Sequence, residues 1–209
     1  PFYQGDSVWT YELGDKFTND DRTLTLNTAI YYNDYQHYIG QNSLTPTLQA
    51  VNLNTGDVTS YGVEVEGIWS PNDMFQLTGG LTYNHARITD DSEFEAVFPG
   101  GLATDLILFQ PDWNFYVTPT VTIPVGEDNI VFNTTVSYKG DRAGSSLDPT
   151  FQPQLEGYYV VNANLAYEHG DYTIALWGTN LTDSEYYDSY LDRSLLAAFF
   201  GNASPLTHN

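Results

Sequence analysis

The sequence lacks cysteine entirely and is poor in positively charged residues. None of its 209 residues is Cys, and only 6 are Lys or Arg against 27 Asp or Glu, which gives a formal net charge of −21. The absence of cysteine excludes disulfide bonds and cysteine-ligated metal sites. The negative charge argues against a nucleic-acid partner and against binding to anionic membrane surfaces. Metal ions, cationic ligands or a cation-bridged lipopolysaccharide surface match this charge better.

Long apolar runs are missing as well. No run approaches the roughly 18 residues of a membrane-spanning helix, so the sequence excludes a helical span. Charged residues make up 16% of the chain, compared with about a quarter in soluble domains, whereas aromatic residues reach 15%. The amphipathic rings of Tyr and Trp collect at membrane interfaces. The composition therefore favours β-strands in contact with lipid, with charge confined to loops and turns.

What the sequence has in abundance is two-residue alternation of apolar and polar side chains. The clearest stretch is residues 24–33, LTLNTAIYYN, in which every second residue from Leu24 belongs to the more apolar set. Successive strand side chains point to opposite faces, so such a strand has an apolar face and a neutral polar face. The same pattern predicts eight strands, which are Val8–Thr18, Thr23–Tyr38, Val58–Trp69, Phe75–Ile88, Asn114–Pro124, Ile130–Gly140, Tyr158–His169 and Tyr172–Asn180.

The connections between these strands alternate in length. Short turns lie at 19–21, 70–73, 126–129 and 170–171, and long segments lie at 40–57, 89–113, 141–157 and from 181 onward. Short turns on one side and long loops on the other are typical of an outer-membrane barrel. A soluble sandwich has no reason for this asymmetry, because both of its ends face water. The predicted fold class is all-β, an antiparallel up-and-down meander of about eight strands in a transmembrane β-barrel.

The alternation also predicts which side chains face lipid and which face the barrel lumen. The residues predicted to point outward are Leu24, Leu26, Ile30, Leu77, Leu81, Phe132, Val136, Val161 and Leu165. Those predicted to point inward are Asn27, Thr78, Thr82, Asn133, Ser137, Asn162 and Asn164. Glu64, Glu66 and Lys139 are expected in the lumen, where the glutamates could pair with Lys139, Arg142 or residues from elsewhere in the protein. Pro119 counts against this register, because it removes a ladder hydrogen bond from a central strand.

Two groups of residues are candidates for ligand binding in the loops and upper lumen. The first combines carboxylates with aromatic rings, which suits a metal or a cationic ligand edge, and consists of Asp90, Asp91, Glu93, Phe94, Glu95 and Phe98. A solvated acidic loop tip is the alternative interpretation. The second group, Tyr35, His37 and Tyr38, could stack on a flat ligand, or it could belong to an outer aromatic girdle.

Catalytic and metal-binding patterns are not found in the sequence. Ser145 and Ser146 lie in a glycine-flanked loop, but no Gly-x-Ser-x-Gly motif is present. The histidines show no metal-ligand spacing, and phosphate-binding glycine loops are absent. An outer-membrane hydrolase would need an exposed triad that the sequence does not supply. The expectation is therefore a protein that is not an enzyme and carries no cofactor and no metal.

Five segments resemble the C-terminal barrel of TonB-dependent outer-membrane receptors, in the right order and with the right loops between them. They are TYELG at 10–14, IYYNDY at 30–35, SYGVEVE at 60–66, YVVNANL at 159–165, and ALWGTNLTD at 175–183 followed by Tyr186-Tyr187. The resemblance implies a 22-stranded barrel of which residues 1–209 are a partial domain, without the plug domain and without the final strand. Within that barrel these strands resemble the fourteenth to the twenty-first.

The resemblance implies energised import across the outer membrane of a Gram-negative bacterium, with a ferric siderophore as the expected cargo. The implied partners are the TonB complex acting through a plug domain, outer-membrane lipid or lipopolysaccharide, and a small-molecule ligand such as a metal chelate. Two other hypotheses remain open at this point. A passive porin-like channel would share the barrel physics but lack a plug. A secreted carbohydrate-binding β-sandwich would be expressed in soluble form without detergent.

Overall fold

A computed structural model describes residues 4–44, 49–97, 99–100, 102, 104–144 and 153–189 of the chain. The described residues form ten strands and a single short helix, α1, at Ser92–Val97. The strands are β1 Ser7–Thr18, β2 Leu24–Leu44, β3 Gln49–Asn72, β4 Phe75–Asp90, β5 Trp113–Val125, β6 Asp128–Lys139, β7 Arg142–Ala143, β8 Gln154–Leu155, β9 Tyr158–His169 and β10 Tyr172–Gly178. Among these elements, no helix is long and apolar enough to cross a bilayer.

The eight long strands form one antiparallel sheet in the order β1-β2-β3-β4-β5-β6-β9-β10. Each of these strands pairs with its neighbours in sequence, because β7 and β8 form a separate two-stranded ribbon within the connection between β6 and β9. The prediction of an all-β antiparallel meander of eight strands is confirmed. Its four short turns lie along one edge, here called the turn rim. The connections β2–β3, β4–β5 and β6–β9 lie along the opposite edge, the loop rim.

The prediction of a loop at 40–57 is wrong. β2 continues to Leu44 and β3 begins at Gln49, so the two strands pair beyond the predicted boundary, from Ile39 opposite Asn54 to Leu44 opposite Gln49. The pairing is interrupted by a bulge between Tyr35 and Tyr38 and then resumes. This extension has no apolar-polar contrast in its sequence, because polar residues occupy both alternating sets, and the alternation therefore missed it.

The register places the predicted outward residues on one face of the sheet, here called the apolar face. Directly paired residues share a face, and the ladder sets Phe132 opposite Leu165 and Val136 opposite Val161. On the other strands, Leu24 lies opposite Trp69, which in turn lies opposite Leu77. The apolar face carries large exposed side chains, so it is not covered by any other described element.

The opposite face, here called the polar face, carries the predicted inward residues. Asn133 pairs with Asn164, and Thr82 lies between Glu64 and Asn114 in one row that continues to Lys139. Glu66 belongs to the neighbouring row, opposite Asn27 and Gly80.

Pro119 does not disturb this register. It lies on the apolar face opposite Leu77. The β5–β6 ladder keeps the same alignment on both sides of it, with Val117 opposite Val136 and Thr120 opposite Asn133.

Buried hydrophobic residues are few and mostly small in the described part of the chain. They are Val58, Ala86, Ala143, Leu155 and Ala166. The sheet therefore does not build a hydrophobic core of its own. Its regularity comes from the ladder of backbone hydrogen bonds, and its apolar face needs an apolar environment.

Candidate functional site

An aromatic belt crosses the apolar face close to the loop rim. Its members lie on consecutive strands and are Tyr11, Tyr32, Tyr61, Tyr83, Trp113, Phe115, Tyr138 and Tyr159, with the ring of His85 between those of Tyr61 and Tyr83. The ring centroids of Tyr83 and Trp113 are 4.5 Å apart, and those of Tyr138 and Tyr159 are 4.6 Å apart. Such a continuous row of amphipathic rings is typical of the boundary between lipid tails and headgroups.

A second set of rings lies near the turn rim at a constant distance from this belt. Along β3, β4 and β9, the two sets are eight positions apart, as in Tyr61 and Trp69 or Tyr159 and Tyr167. At a rise of about 3.3 Å per residue, eight residues extend about 26 Å along the strand, which is about 20 Å along the membrane normal at the usual strand tilt of about 40°. The apolar band of an outer-membrane barrel is about 25 Å tall. The spacing therefore fits a sheet that crosses one bilayer.

The bulge in β2 brings two predicted ligand residues to the same side of the strand. His37 has a φ of 56°, and the residues on either side of it are out of the regular register. In a regular strand, residues three positions apart point to opposite faces, but the rings of Tyr35 and Tyr38 meet edge to face at 6.4 Å. Tyr35 lies opposite Val58 on the polar face, so the bulge separates this pair from the aromatic belt.

His37 also joins the two predicted ligand groups. Its Nδ1 contacts Oε1 of Glu93 in helix α1, and its backbone N–H donates to Oδ1 of Asp57 at 3.2 Å. We call His37, Asp57 and Glu93 the His37 clasp. The sequence predicted the group around Tyr35 and the acidic loop as separate candidates, and the structure brings them together at the loop rim.

The remaining predicted residues of the acidic loop shape its backbone. Oδ1 of Asp90 accepts the N–H of Ser92 at 2.8 Å, and Oδ2 of Asp91 accepts the N–H of Leu102 at 3.0 Å. Phe94 and Glu95 lie in helix α1. Phe98 lies outside the described residues.

Asn54 is a residue of this region that sequence reasoning missed. It is largely buried, and its Nδ2 donates to the carbonyl oxygen of His37 at 2.6 Å and to that of Gln4 at 3.1 Å. Its Oδ1 accepts the N–H of Gln4 at 2.7 Å. A single Asn therefore holds the bulge against the segment before β1. No sequence signal marks it, because it lies in a polar stretch that has no periodicity.

Asp188 forms a second hub, at the loop-rim end of β6 and β9. Its Oδ1 accepts from the hydroxyl of Tyr158 at 2.9 Å and lies 3.4 Å from Nζ of Lys139 and 3.2 Å from Nη2 of Arg142. The rings of Tyr158 and Tyr186 stack with centroids 4.0 Å apart. Among the described residues, Lys139 and Arg142 pair with Asp188, to which the sequence did not point, and not with Glu64 or Glu66. The alternative that these glutamates pair with residues from elsewhere in the protein stays a prediction.

We expect the Asp188 hub to loosen in acid. The hydrogen bond from Tyr158, followed by the contacts with Lys139 and Arg142, holds the pKa of Asp188 below its usual value. Because the folded-state pKa is lowered, the stabilisation is complete above about pH 4, the usual Asp value, and is lost as the pH falls through the lowered pKa. Hydrogen exchange of residues 180–189, corrected for its intrinsic pH dependence, should speed up over that range. Asp188→Asn should abolish this dependence, whereas Asp183→Asn should retain it; an unchanged profile in Asp188→Asn would contradict the assignment.

Within the described ranges, no group of three or more His, Asp or Glu side chains is arranged to hold a metal ion. The loop rim instead carries rings, carboxylates and the guanidinium groups of Arg87 and Arg142, two residues that line a cleft of about 310 Å³. Such a surface suits recognition of a polar ligand.

Comparison with known proteins places these features in a family. Residues 6–181 match the family model described as "TonB dependent receptor-like, beta-barrel". The "Ferrichrome outer membrane transporter/phage receptor" of Escherichia coli (strain K12) is 25% identical over 183 residues, 84% of this chain and 22% of the relative. The "Ferric-pyoverdine M114 receptor PbuA" of Pseudomonas sp. (strain M114) is 26% identical over 185 residues, 86% of this chain and 21% of the relative. Both relatives are named as transporters or receptors, not as enzymes.

Solved structures have the same fold as this chain. The ferric yersiniabactin uptake receptor FyuA from Yersinia pestis superimposes with a TM-score of 0.70 at 18% identity, over 89% of this chain and 26% of that protein. This chain spans about a fifth of the length of the curated relatives it matches.

Proposed function

The chain belongs to the TonB-dependent receptor-like β-barrel family, and on that basis we propose that it forms part of the barrel wall of an outer-membrane transporter. In this proposal the protein imports a ferric siderophore into a Gram-negative cell, and the inner-membrane TonB complex supplies the energy through a plug domain. The observation that carries the proposal is the match to the family model over residues 6–181, in a sheet whose two ring sets are spaced to fit one bilayer.

The cargo class is supported by the relatives. One is named as a ferrichrome transporter and the other as a ferric-pyoverdine receptor, so both names specify an iron chelate. The geometry of this chain is compatible with such a cargo, because the loop rim carries aromatic rings and polar groups above an apolar wall. The polar face would line the lumen, with Glu64, Glu66 and Lys139 facing the path of the ligand.

Recognition would reside at the loop rim. The His37 clasp holds helix α1, with its carboxylates and Phe94, next to the ring pair of Tyr35 and Tyr38. In many proteins a rigid scaffold supports binding loops that vary in sequence, since loops can change without disturbing the scaffold. We propose that the residues from Asp90 to Phe98, together with Tyr35, His37 and Tyr38, contact the ligand as it enters.

A passive porin is the second candidate function. It would share the bilayer-matched sheet but would not depend on TonB or on the proton gradient. The description of the matching family model, "TonB dependent receptor-like, beta-barrel", favours the energised transporter.

Deletion of residues 90–98 in the full-length protein tests where recognition resides. We expect weaker binding of the ferric chelate to cells, with normal barrel assembly and normal heat-modifiable mobility on gels. The barrel should tolerate the deletion because its strands hold it together, and halving a loop changes closure entropy by only about 0.6 kcal/mol. The matched control is Glu127→Gln with Asp171→Asn, which removes two acidic groups from the turn rim.

The control variant should bind the chelate as the unmodified protein does. If the deletion variant assembles and binds the chelate with unchanged affinity, the acidic loop does not contact the ligand. Recognition would then belong to other loops or to the plug.

A further inference from the structure

After β10, the chain crosses the polar face as a strap, defined here as residues 180–188. At its start, the backbone N–H of Asn180 donates to Oδ1 of Asn162 at 2.9 Å, and Asn162 lies on the polar face of β9. At its end, the strap reaches β6, because Oδ1 of Asp188 lies 3.4 Å from Nζ of Lys139. The strap therefore lies over the polar face of β9 and β6, close to the loop rim.

The strap contacts Arg142, whose side chain has no accessible surface. The guanidinium carbon of Arg142 lies 5.5 Å from the ring centroid of Tyr158, and that ring stacks on Tyr186 of the strap. Nη2 of Arg142 donates to the carbonyl oxygen of Tyr187 at 2.7 Å and to Oδ1 of Asp188 at 3.2 Å. Both acceptors belong to the strap, so the strap separates Arg142 from the space above the polar face.

These contacts do not satisfy the guanidinium group of Arg142. Its Nε and Nη1 are buried and have no acceptor among the described residues, which is unfavourable for donors of a charged group. A carboxylate can accept from two N–H groups of one guanidinium in parallel, whereas Asp188 accepts from Nη2 through a single oxygen. The same oxygen also accepts from the hydroxyl of Tyr158. Arg142 can therefore form a better pair with another carboxylate than it forms with Asp188.

Asp188 is also accessible to a competitor. Its side chain is 61% exposed, and an ion pair with an exposed partner contributes little to stability. The chain has only 6 basic residues and a net charge of −21, yet Lys139 and Arg142 converge on this one carboxylate oxygen. This local positive charge lies on the face that would line the lumen, where a ligand with a negative group would meet it.

We propose that Asp188 is an internal competitor for a carboxylate group of the cargo, and that the cargo releases the strap by replacing Asp188 at Arg142. The inference rests on the proposed function, because it requires the polar face to line the path of the ligand. The incoming carboxylate pairs with two guanidinium N–H groups, including donors that have no acceptor while the strap is in place. The strap is thus an autoinhibitory contact, and it favours ferric chelates that carry carboxylates.

The test measures binding of ferric citrate, a carboxylate-rich chelate, to the purified full-length protein in detergent. We expect Asp188→Asn to raise the affinity about ten-fold, because a neutral amide competes less well for a charged donor. A residue that only stabilised the rim would lower the affinity when it was changed. Combining Asp188→Asn with Arg142→Gln should cancel the gain, since the donor is then lost.

Asp183→Asn is the matched control. It removes an acid from the same strap, but the side chain of Asp183 is exposed, and the groups that contact Arg142 stay in place. We expect it to change the affinity for ferric citrate by less than about two-fold, the effect of one exposed charge.

Hydrogen exchange of residues 180–189 shows whether the strap is released. Saturating ferric citrate should speed up this exchange in the unmodified protein, because the strap leaves the polar face. A ferric trihydroxamate without carboxylate groups should leave the exchange unchanged. Slower exchange with ferric citrate would overturn the proposal, because the strap would then close on the ligand.

An unchanged or lowered affinity of the Asp188→Asn variant for ferric citrate would also overturn the proposal, as would a lack of ferric citrate binding in every variant. An equal gain for the trihydroxamate would overturn the preference for carboxylates. If Asp188→Asn fails to give a heat-modifiable barrel, Tyr158→Phe takes its place, because it removes a hydroxyl that holds Asp188, and a gain is again expected. TonB-dependent uptake by cells is measured separately, so the competitor can fail while transport succeeds.

Discussion

Leu81→Arg in the full-length protein is expected to lower the free energy of unfolding by about 2 kcal/mol, the lower end of the range for a charge near the bilayer midplane. Leu81 lies on the apolar face between Val65 and Phe115, two residues from the midpoint of the two ring positions on β4, Phe75 and Tyr83. An arginine there would place its charge in lipid. Equilibrium unfolding from lipid vesicles in a denaturant titration measures the change.

Thr82→Arg is the matched control, because it is the next residue on the same strand and lies on the polar face. It pairs with Glu64 and Asn114, so an arginine would enter a polar row that already contains an acid. We expect a change within about 0.5 kcal/mol, as for a surface substitution. Equal losses in both variants would mean that the apolar face does not meet lipid. A larger loss for Thr82→Arg would mean that the register is shifted by one residue, because such a slip exchanges the two faces.

Gly56→Ala is expected to disrupt the loop rim. Gly56 has a φ of 130°, which L residues rarely adopt, and a Cβ atom there would lie 1.8 Å from the carbonyl oxygen of Asp90. The close approach fixes the strand end that leads into helix α1 and its contact with His37. We expect Gly56→Ala to lose about 2 kcal/mol more stability than the control variant Gly100→Ala, because the added atom overpacks against backbone. We also expect faster hydrogen exchange at residues 92–97.

Gly100→Ala supplies the control. Gly100 also has a positive φ, 115°, but a Cβ atom there would have no neighbour within 4 Å. Both variants therefore carry the cost of backbone strain, and only Gly56→Ala carries the clash. If the two variants lose the same stability, the close approach of Asp90 to Gly56 does not hold the rim together.

The regular part of the fold follows from local sequence. Alternation fixes the faces of a strand, and turns rich in Gly, Asn and Asp fix the ends of hairpins. The hairpin of β6 and β5 around 126–127 and that of β9 and β10 around 170–171 have such turns, and both strand pairs form with the predicted partners. Pairing of neighbours in sequence needs no long-range information, which is why the meander was predictable.

The loop rim was predictable only in part. The residue types of the acidic loop and of the group around Tyr35 indicated candidates, but His37 and Glu93 lie 56 positions apart in sequence, and no periodicity predicts their contact. The bulge at His37 contains no glycine or proline, so the sequence does not indicate it. Asn54 and Asp188 act through contacts with residues that are distant in sequence, so local sequence carries no sign of them. Long-range polar contacts of this kind depend on the tertiary structure.

Uptake of a radiolabelled ferric siderophore tests the central claim most directly. Cells that express the full-length protein as their sole receptor for that chelate would be compared with the same cells after deletion of TonB, and after collapse of the proton gradient. We expect saturable uptake in the first case and surface binding without uptake in the other two. Uptake that continues without TonB and without the gradient would contradict an energised transporter and would favour a passive channel.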